Sequence, residues 1–179
     1  LFIGTSHGRI ATFSLLPQGP SFVCNFVNVT YMEGPVIKII PLNSDSGKRA
    51  YATQQAVANL RDGIKVPGVL LGVTKSGSRI FRPPTAKGAH RSWEDFDCLS
   101  ANVVELETHG VCLSCVMSNG VVKSYSIPGL KEISEVKIGQ WFEQDRLAEI
   151  IVTGAGYIFG WTSEAECLLL HMWGKGDSL

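Results

Sequence analysis

One short pattern occurs four times in this sequence: an apolar run, a turn ending in glycine, then a second apolar run. The copies read Leu1-Phe-Ile-Gly-Thr-Ser-His-Gly8-Arg-Ile-Ala-Thr-Phe13, Val69-Leu-Leu-Gly-Val-Thr-Lys-Ser-Gly77-Ser-Arg-Ile-Phe81, Val111-Cys-Leu-Ser-Cys-Val-Met-Ser-Asn-Gly120-Val-Val-Lys-Ser-Tyr125 and Ile150-Ile-Val-Thr-Gly-Ala-Gly156-Tyr-Ile-Phe159. A glycine at a hairpin tip supplies the positive φ of a tight turn, and Asn119-Gly120 is the strongest form of that signal. The pattern predicts four β-hairpins.

The tip glycines are 69, 43 and 36 residues apart. A unit of roughly 40–45 residues, each a four-stranded sheet, is the period of a β-propeller blade. The fold class is therefore all-β: a WD-repeat-like propeller fragment of three to four blades over residues 1–173. The third unit is expected to run Asn102–Leu106, Val111–Met117, Gly120–Ile127 and Lys131–Ile138, with Pro128-Gly129 turning into the outer strand. The second is expected to use Val36–Ile40, Val69–Val73, Arg79–Phe81 and a strand over Arg91–Phe96. The fourth is expected to use Gln144–Val152, Tyr157–Trp161 and Cys167–Trp173. The excess in the first gap is an insertion over residues 43–66. It opens with the polar loop Asn43–Arg49. A short helix over Ala50–Asp62 follows, with Thr53, Ala56, Val57 and Leu60 on one face and Gly63 as its C-cap.

Composition removes several classes of function. A chain of 179 residues that is 45% hydrophobic and carries no net charge can bury enough surface to fold. Sixteen basic residues matched by sixteen acidic ones disfavour nucleic-acid binding, which draws its affinity from cations on phosphates. No apolar run reaches the roughly 18–20 residues of a membrane-spanning helix. The opening Leu1-Phe2-Ile3-Gly4-Thr5 has no basic leader region and begins as though inside a strand, so the sequence reads as a piece of something larger. Five cysteines at irregular spacing (Cys24, Cys98, Cys112, Cys115, Cys167) fit reduced, buried thiols in a cytoplasmic protein.

Candidate chemistry is sparse. Cys112-Leu-Ser-Cys115 has redox or zinc spacing, but strand alternation puts the two thiols on opposite faces. Gly154-Ala-Gly156-Tyr-Ile-Phe-Gly160 mimics a phosphate cradle, yet its third glycine is one position late and no helix follows. Asp95 and Asp97 flank Phe96 and would share one face of an outer strand. With Glu107 and a histidine they are the only carboxylates that suggest acid–base work, and outer-strand carboxylates face away from a propeller's channel. No catalytic, cofactor-binding or metal-binding residue is assigned, no cofactor is expected, and the chain is read as non-enzymatic.

Protein binding is better supported. Arg82-Pro-Pro-Thr-Ala-Lys-Gly-Ala-His-Arg-Ser-Trp93 combines cations, a rigid Pro-Pro and an aromatic on an inter-strand loop, and Arg and Trp are favoured interface anchors; the alternative for Trp93 is packing between blades, as large aromatics on outer strands often do. With the cations of the insertion, the candidate binding residues are Lys48, Arg49, Arg61, Arg82, Lys87, His90, Arg91 and Trp93.

The hairpin Val69–Pro84, with its approach Gly63-Ile-Lys-Val-Pro-Gly68, resembles the second propeller of the lethal giant larvae / tomosyn family, especially its fungal members. The opening Leu1–Pro17 and the segment Ser118–Lys131 are similar to further blades of that propeller. The absence of Gly-His and Trp-Asp signatures matches this divergent family. The resemblance implies a tandem pair of seven-bladed propellers that bind plasma-membrane SNARE proteins and regulate vesicle docking in polarised exocytosis. It also implies links to Rab GTPases, the exocyst and cell polarity, and peripheral association with the plasma membrane. On this reading the chain is the C-terminal part of the second propeller, its direct partner is the remainder of that propeller, and residues 174–179 begin a C-terminal tail. The runner-up is a WD-type adaptor in another trafficking or ubiquitin-ligase complex.

Overall fold

The computed structural model describes residues 1–50, 68–82, 85, 87–106, 110–139 and 147–171. The described residues form four antiparallel sheets in chain order. No helix occurs among them. This is the all-β, propeller-like architecture that the repeated hairpins predict. The helix expected over Ala50–Asp62 and the tail at 174–179 lie outside the described residues. The chain divides into two compact units, Leu1–Ser92 and Trp93–Leu179.

In the first unit, β1 (Phe2–Gly4), β2 (Arg9–Gln18) and β3 (Ser21–Tyr31) make a three-stranded sheet in that order. Gly8 turns the first hairpin at φ 71°. Thr5 organises that turn: its carbonyl accepts from the Gly8 amide at 3.3 Å and its Oγ1 from the Arg9 amide at 3.1 Å. β3 is a strand the repeat pattern misses. It pairs with the whole of β2, from Arg9↔Tyr31 to Gln18↔Ser21, with a bulge after Thr12.

The second sheet, β4 (Val36–Leu42), β5 (Val69–Thr74), β6 (Gly77–Phe81) and β7 (His90–Ser92), is ordered β4-β5-β6-β7. Its outer strand is shorter than expected, so Asp95 falls on the bend after β7, Asp97 lies between that bend and the next strand, and the two share no strand face. Ile10, Leu70 and Phe81 form the core between these two sheets, with Phe2, Met32, Val36 and Ile39 packed against them. Asn43 starts the insertion as a built turn: its Oδ1 accepts from the amides of Asp45 (2.9 Å) and Ser46 (3.4 Å). The chain then returns beside β4, where the Ala50 amide donates to the Pro41 carbonyl at 2.9 Å.

Gly77 departs from expectation. It has no positive φ and is the first residue of β6. The Lys75-Ser76 turn before it is held by Thr74, whose Oγ1 accepts from the Gly77 amide at 3.0 Å and donates to the Gly77 carbonyl at 3.1 Å. What requires glycine is proximity, since a Cβ here would lie 2.6 Å from the Arg91 carbonyl oxygen.

The second unit holds the third sheet, β8 (Cys98–Leu106), β9 (Gly110–Met117), β10 (Val121–Ser126) and β11 (Glu132–Lys137), and the fourth, β12 (Leu147–Val152), β13 (Tyr157–Thr162) and β14 (Cys167–His171). Gly120 and Gly156 turn their hairpins at φ 74° and 84°, as predicted. The two sheets share a core of Val104, Cys112, Val116, Val122, Ile138, Ile150, Val152 and Ile158. Polar side chains also join them: Asn102 Nδ2 donates to the Val152 carbonyl at 2.9 Å, and Ser100 Oγ accepts from the Val152 amide at 3.2 Å. A second buried polar contact, Ser114 Oγ to Ser124 Oγ at 3.1 Å, crosses from β9 to β10.

Cys112 and Cys115 do separate, as strand alternation requires. Cys112 joins the inter-sheet core, while Cys115 is fully buried against Cys98. Burial pushes the Cys115 thiol well above its ordinary pKa of 9.0, reinforced by Cys98. Burial raises Cys112 too, opposed by its hydrogen bond with Ser114. Cys24 and Cys167, in contrast, are exposed, so the expectation of five buried thiols holds for three.

Candidate protein-binding site on the rim of the second sheet

The candidate binding residues fall in three places. Lys48 and Arg49 stand on the returning limb of the Asn43 turn, where the Lys48 carbonyl accepts from the Asn43 amide at 2.8 Å and Arg49 bridges to Leu42. Lys48 is exposed and Arg49 half-buried. Arg61 lies outside the described residues. Arg82, Lys87, His90 and Arg91 are exposed on and beside the outer strand of the second sheet.

Trp93 is placed differently from an anchor. It opens the second unit, is 9% exposed, and stacks on Tyr125 with ring centroids 5.2 Å apart. Its ring is used in packing, so the basic residues, and not the aromatic, carry the surface chemistry of this run.

Two glycines let β7 reach its position. The chain leaves β6 at Phe81 and returns past Gly88, where any Cβ would collide with the Ile80 carbonyl. The Ile80 amide then donates to the Ala89 carbonyl at 2.8 Å. At the far end, Gly77 allows the close approach to Arg91. β7 consequently lies in register with β6, pairing Arg79↔His90, Ser78↔Arg91 and Gly77↔Ser92. Directly paired residues share a face, so Arg79 and His90 stand side by side while Arg91 points to the other face.

A shallow groove open to solvent runs along this rim, lined by Met32, Glu33, Arg79, His90, Arg91 and Ser92 among others. Arg79, Glu33 and Ser92 are groove residues that the reading of loops overlooks. A signal for them exists in the sequence. From Gly63 to Trp93 there is no Asp or Glu, yet six Lys or Arg stand there (Lys65, Lys75, Arg79, Arg82, Lys87, Arg91). Whole-chain neutrality hides that segment, and acids resume only at Glu94.

For Asp95, Asp97 and the described histidines the structure offers no shared constellation. Among the described residues no cluster of three or more His, Cys, Asp or Glu is arranged to hold a metal ion. Glu107 and His109 lie outside the described residues. What the rim can do is present cations beside an exposed strand edge, which is a recognition surface for anionic groups. A family model described as lethal giant larvae-like, C-terminal, matches residues 1–179.

Proposed function

Because the chain belongs to the lethal giant larvae-like family, we propose that it is part of a non-enzymatic β-propeller scaffold that binds SNARE proteins and regulates vesicle docking and fusion in polarised exocytosis. The observation that carries this reading is the family match over the whole chain. The sheets act as rigid support, and partners are met at rims and loops, which is how propellers present binding surfaces. The exposed cations of the second sheet's rim and the Lys48–Arg49 limb are the surface assigned to that role. The scaffold works in the cytoplasm, peripherally at the plasma membrane, with Rab GTPases and the exocyst as further partners.

The same reading gives the chain a partner in its own protein. The outward face of the fourth sheet carries a cross-strand row in which Ile151 pairs with Phe159 and Phe159 with Leu169. These three side chains are 40%, 43% and 58% exposed. A continuous apolar row of this kind is suited to another sheet, and we assign it to a further blade of the same propeller.

The test is capture of plasma-membrane SNARE helices by the full-length protein, with the cationic side chains of residues 48–61 and of residues 82–91 replaced separately and together by neutral ones, leaving strand β7 and the packed Trp93 intact. Weakened capture is expected. Unchanged capture after both replacements removes these loops from the binding surface.

A further inference from the structure

The β2–β3 hairpin runs on past the third strand of its own sheet. β1 accompanies β2 only to Phe2↔Thr12, with one further pair of bonds between Leu1 and Phe13. β2 and β3 stay paired to Gln18↔Ser21, where Gly19 turns the chain at φ 58°. The strands in the same place after the other repeat turns, β6, β10 and β13, have five or six residues against ten in β2. That surplus lengthens the ribbon by about 15 Å. Burial falls away along it: Ile10, Thr12 and Thr30 are buried, while every residue from Leu16 to Val27 is exposed.

Exposed strands usually carry charges, which also protect their edges. This ribbon carries none, since from Ile10 to Met32 there is no Asp, Glu, Lys, Arg or His. Its exposed side chains include Leu16, Phe22, Val23, Phe26 and Val27. They occupy both faces. Leu16 pairs with Val23 on one, while Pro17 pairs with Phe22 and Phe13 with Phe26 on the other. A neighbouring blade or partner sheet covers one face of a strand pair. An occupant that wraps both faces and the tip, and asks for no charge, is a fluid apolar medium, which is what lipid provides. A two-stranded ribbon cannot go deep into hydrocarbon, where its edge amides and carbonyls would lose water. Pro17 and Pro20 have no amide to desolvate, so the tip is the part that enters most cheaply. Insertion then stops at the headgroup–acyl boundary, within about 5–10 Å.

We propose that the β2–β3 ribbon is a membrane wedge that inserts Leu16, Phe22 and Val23 into the surface of a lipid bilayer. The proposal deepens the peripheral membrane placement given above and rests on that part of the reading, without requiring SNARE binding.

The probe is a vesicle of phosphatidylcholine with a minor fraction of phosphatidylserine, floated with the full-length protein. Flotation should weaken about 10-fold in Leu16→Ser/Val23→Ser, which strips one face, and about 10-fold in Phe22→Ser, which strips the other. Phe22→Trp keeps the ribbon apolar and should float like the unmodified protein. Its added fluorescence should be quenched by phosphatidylcholine brominated on the acyl chains, a readout independent of whether the serine variants fold. Absence of that extra quenching overturns the proposal, as does flotation unchanged in either serine variant, the pattern of a protein partner covering one face. Flotation abolished by high salt makes the attachment electrostatic and overturns it too. So do dimers that the serine changes dissolve while flotation persists, which make the ribbon a contact between copies. SNARE capture absent with quenching present counts against the proposed function alone; the converse counts against the wedge alone.

Discussion

Trp93 stacks on Tyr125 with ring centroids 5.2 Å apart and ring planes inclined by 31°. Tyr125 is 1% exposed and among the largest fully buried side chains. Truncating Trp93 to Ala should therefore lower unfolding free energy by about 3–5 kcal/mol, as for other buried aromatics. Trp93→Phe should recover much of that loss. Chemical denaturation followed by circular dichroism checks both.

Gly77→Ala should cost about 1–3 kcal/mol, because the new methyl group lies too close to the Arg91 carbonyl, a backbone atom that cannot simply rotate away. The damage is local: the Ile80 amide, bonded to Ala89 beside it, should exchange faster. Gly68→Ala is the control, since a Cβ there meets nothing within 4 Å, and its stability should be unchanged or slightly raised.

The Ser114–Ser124 pair is fully enclosed, at 0% and 2% exposure. Ser114→Ala strands the Ser124 hydroxyl and should destabilise by about 1–3 kcal/mol. The Ser114→Ala/Ser124→Ala double variant should lose less than the two single losses added together, because neither group is then left unpaired. A double-mutant cycle measures the difference directly.

Alkylation at neutral pH should label Cys24 and Cys167 quickly and spare Cys98, Cys112 and Cys115, as peptide mass spectrometry will show. The raised thiol pKa values of Cys112 and Cys115 have a consequence for stability. Below their ordinary 9.0, both states hold the proton and the contribution is intact. Above it the unfolded chain ionises first, so stability should fall as pH rises past about 9 toward the folded values. Cys115→Ala should flatten that decline, and denaturation midpoints between pH 7 and 10 report it.

The hairpins were legible because local chemistry determines them: Asn119-Gly120 and Gly156 make the turns their residues dictate. Gly77 carried the same letter for another reason, since its requirement comes from Arg91, fourteen residues on, which a local pattern does not register. β3 escaped although Gly19 turns into it at φ 58°, because that turn lies outside the four counted copies and the apolar neighbours Phe22 and Val23 fall on opposite faces, which blurs the alternation. At the rim, the exposed cations Arg82, Lys87, His90 and Arg91 were identifiable, whereas Trp93 stood open between anchoring a partner and packing. An aromatic anchor and a core aromatic look identical until Tyr125 is seen beneath it. Arg79 went unnoticed because it sits inside a strand and joins His90 only through cross-strand pairing.

Asn102 and Ser100 grip the carbonyl and amide of Val152 in place of a main-chain ladder. Beside the main-chain bond from the Glu105 amide to the Gly154 carbonyl at 3.1 Å, the junction between the third and fourth sheets therefore carries two side-chain pins. Removing the Ser100 hydroxyl alters how the sheets are keyed together and leaves the strand ladders in place, whereas Asn102 also accepts from the Val103 amide of its own strand at 3.0 Å and so couples the junction to β8 itself.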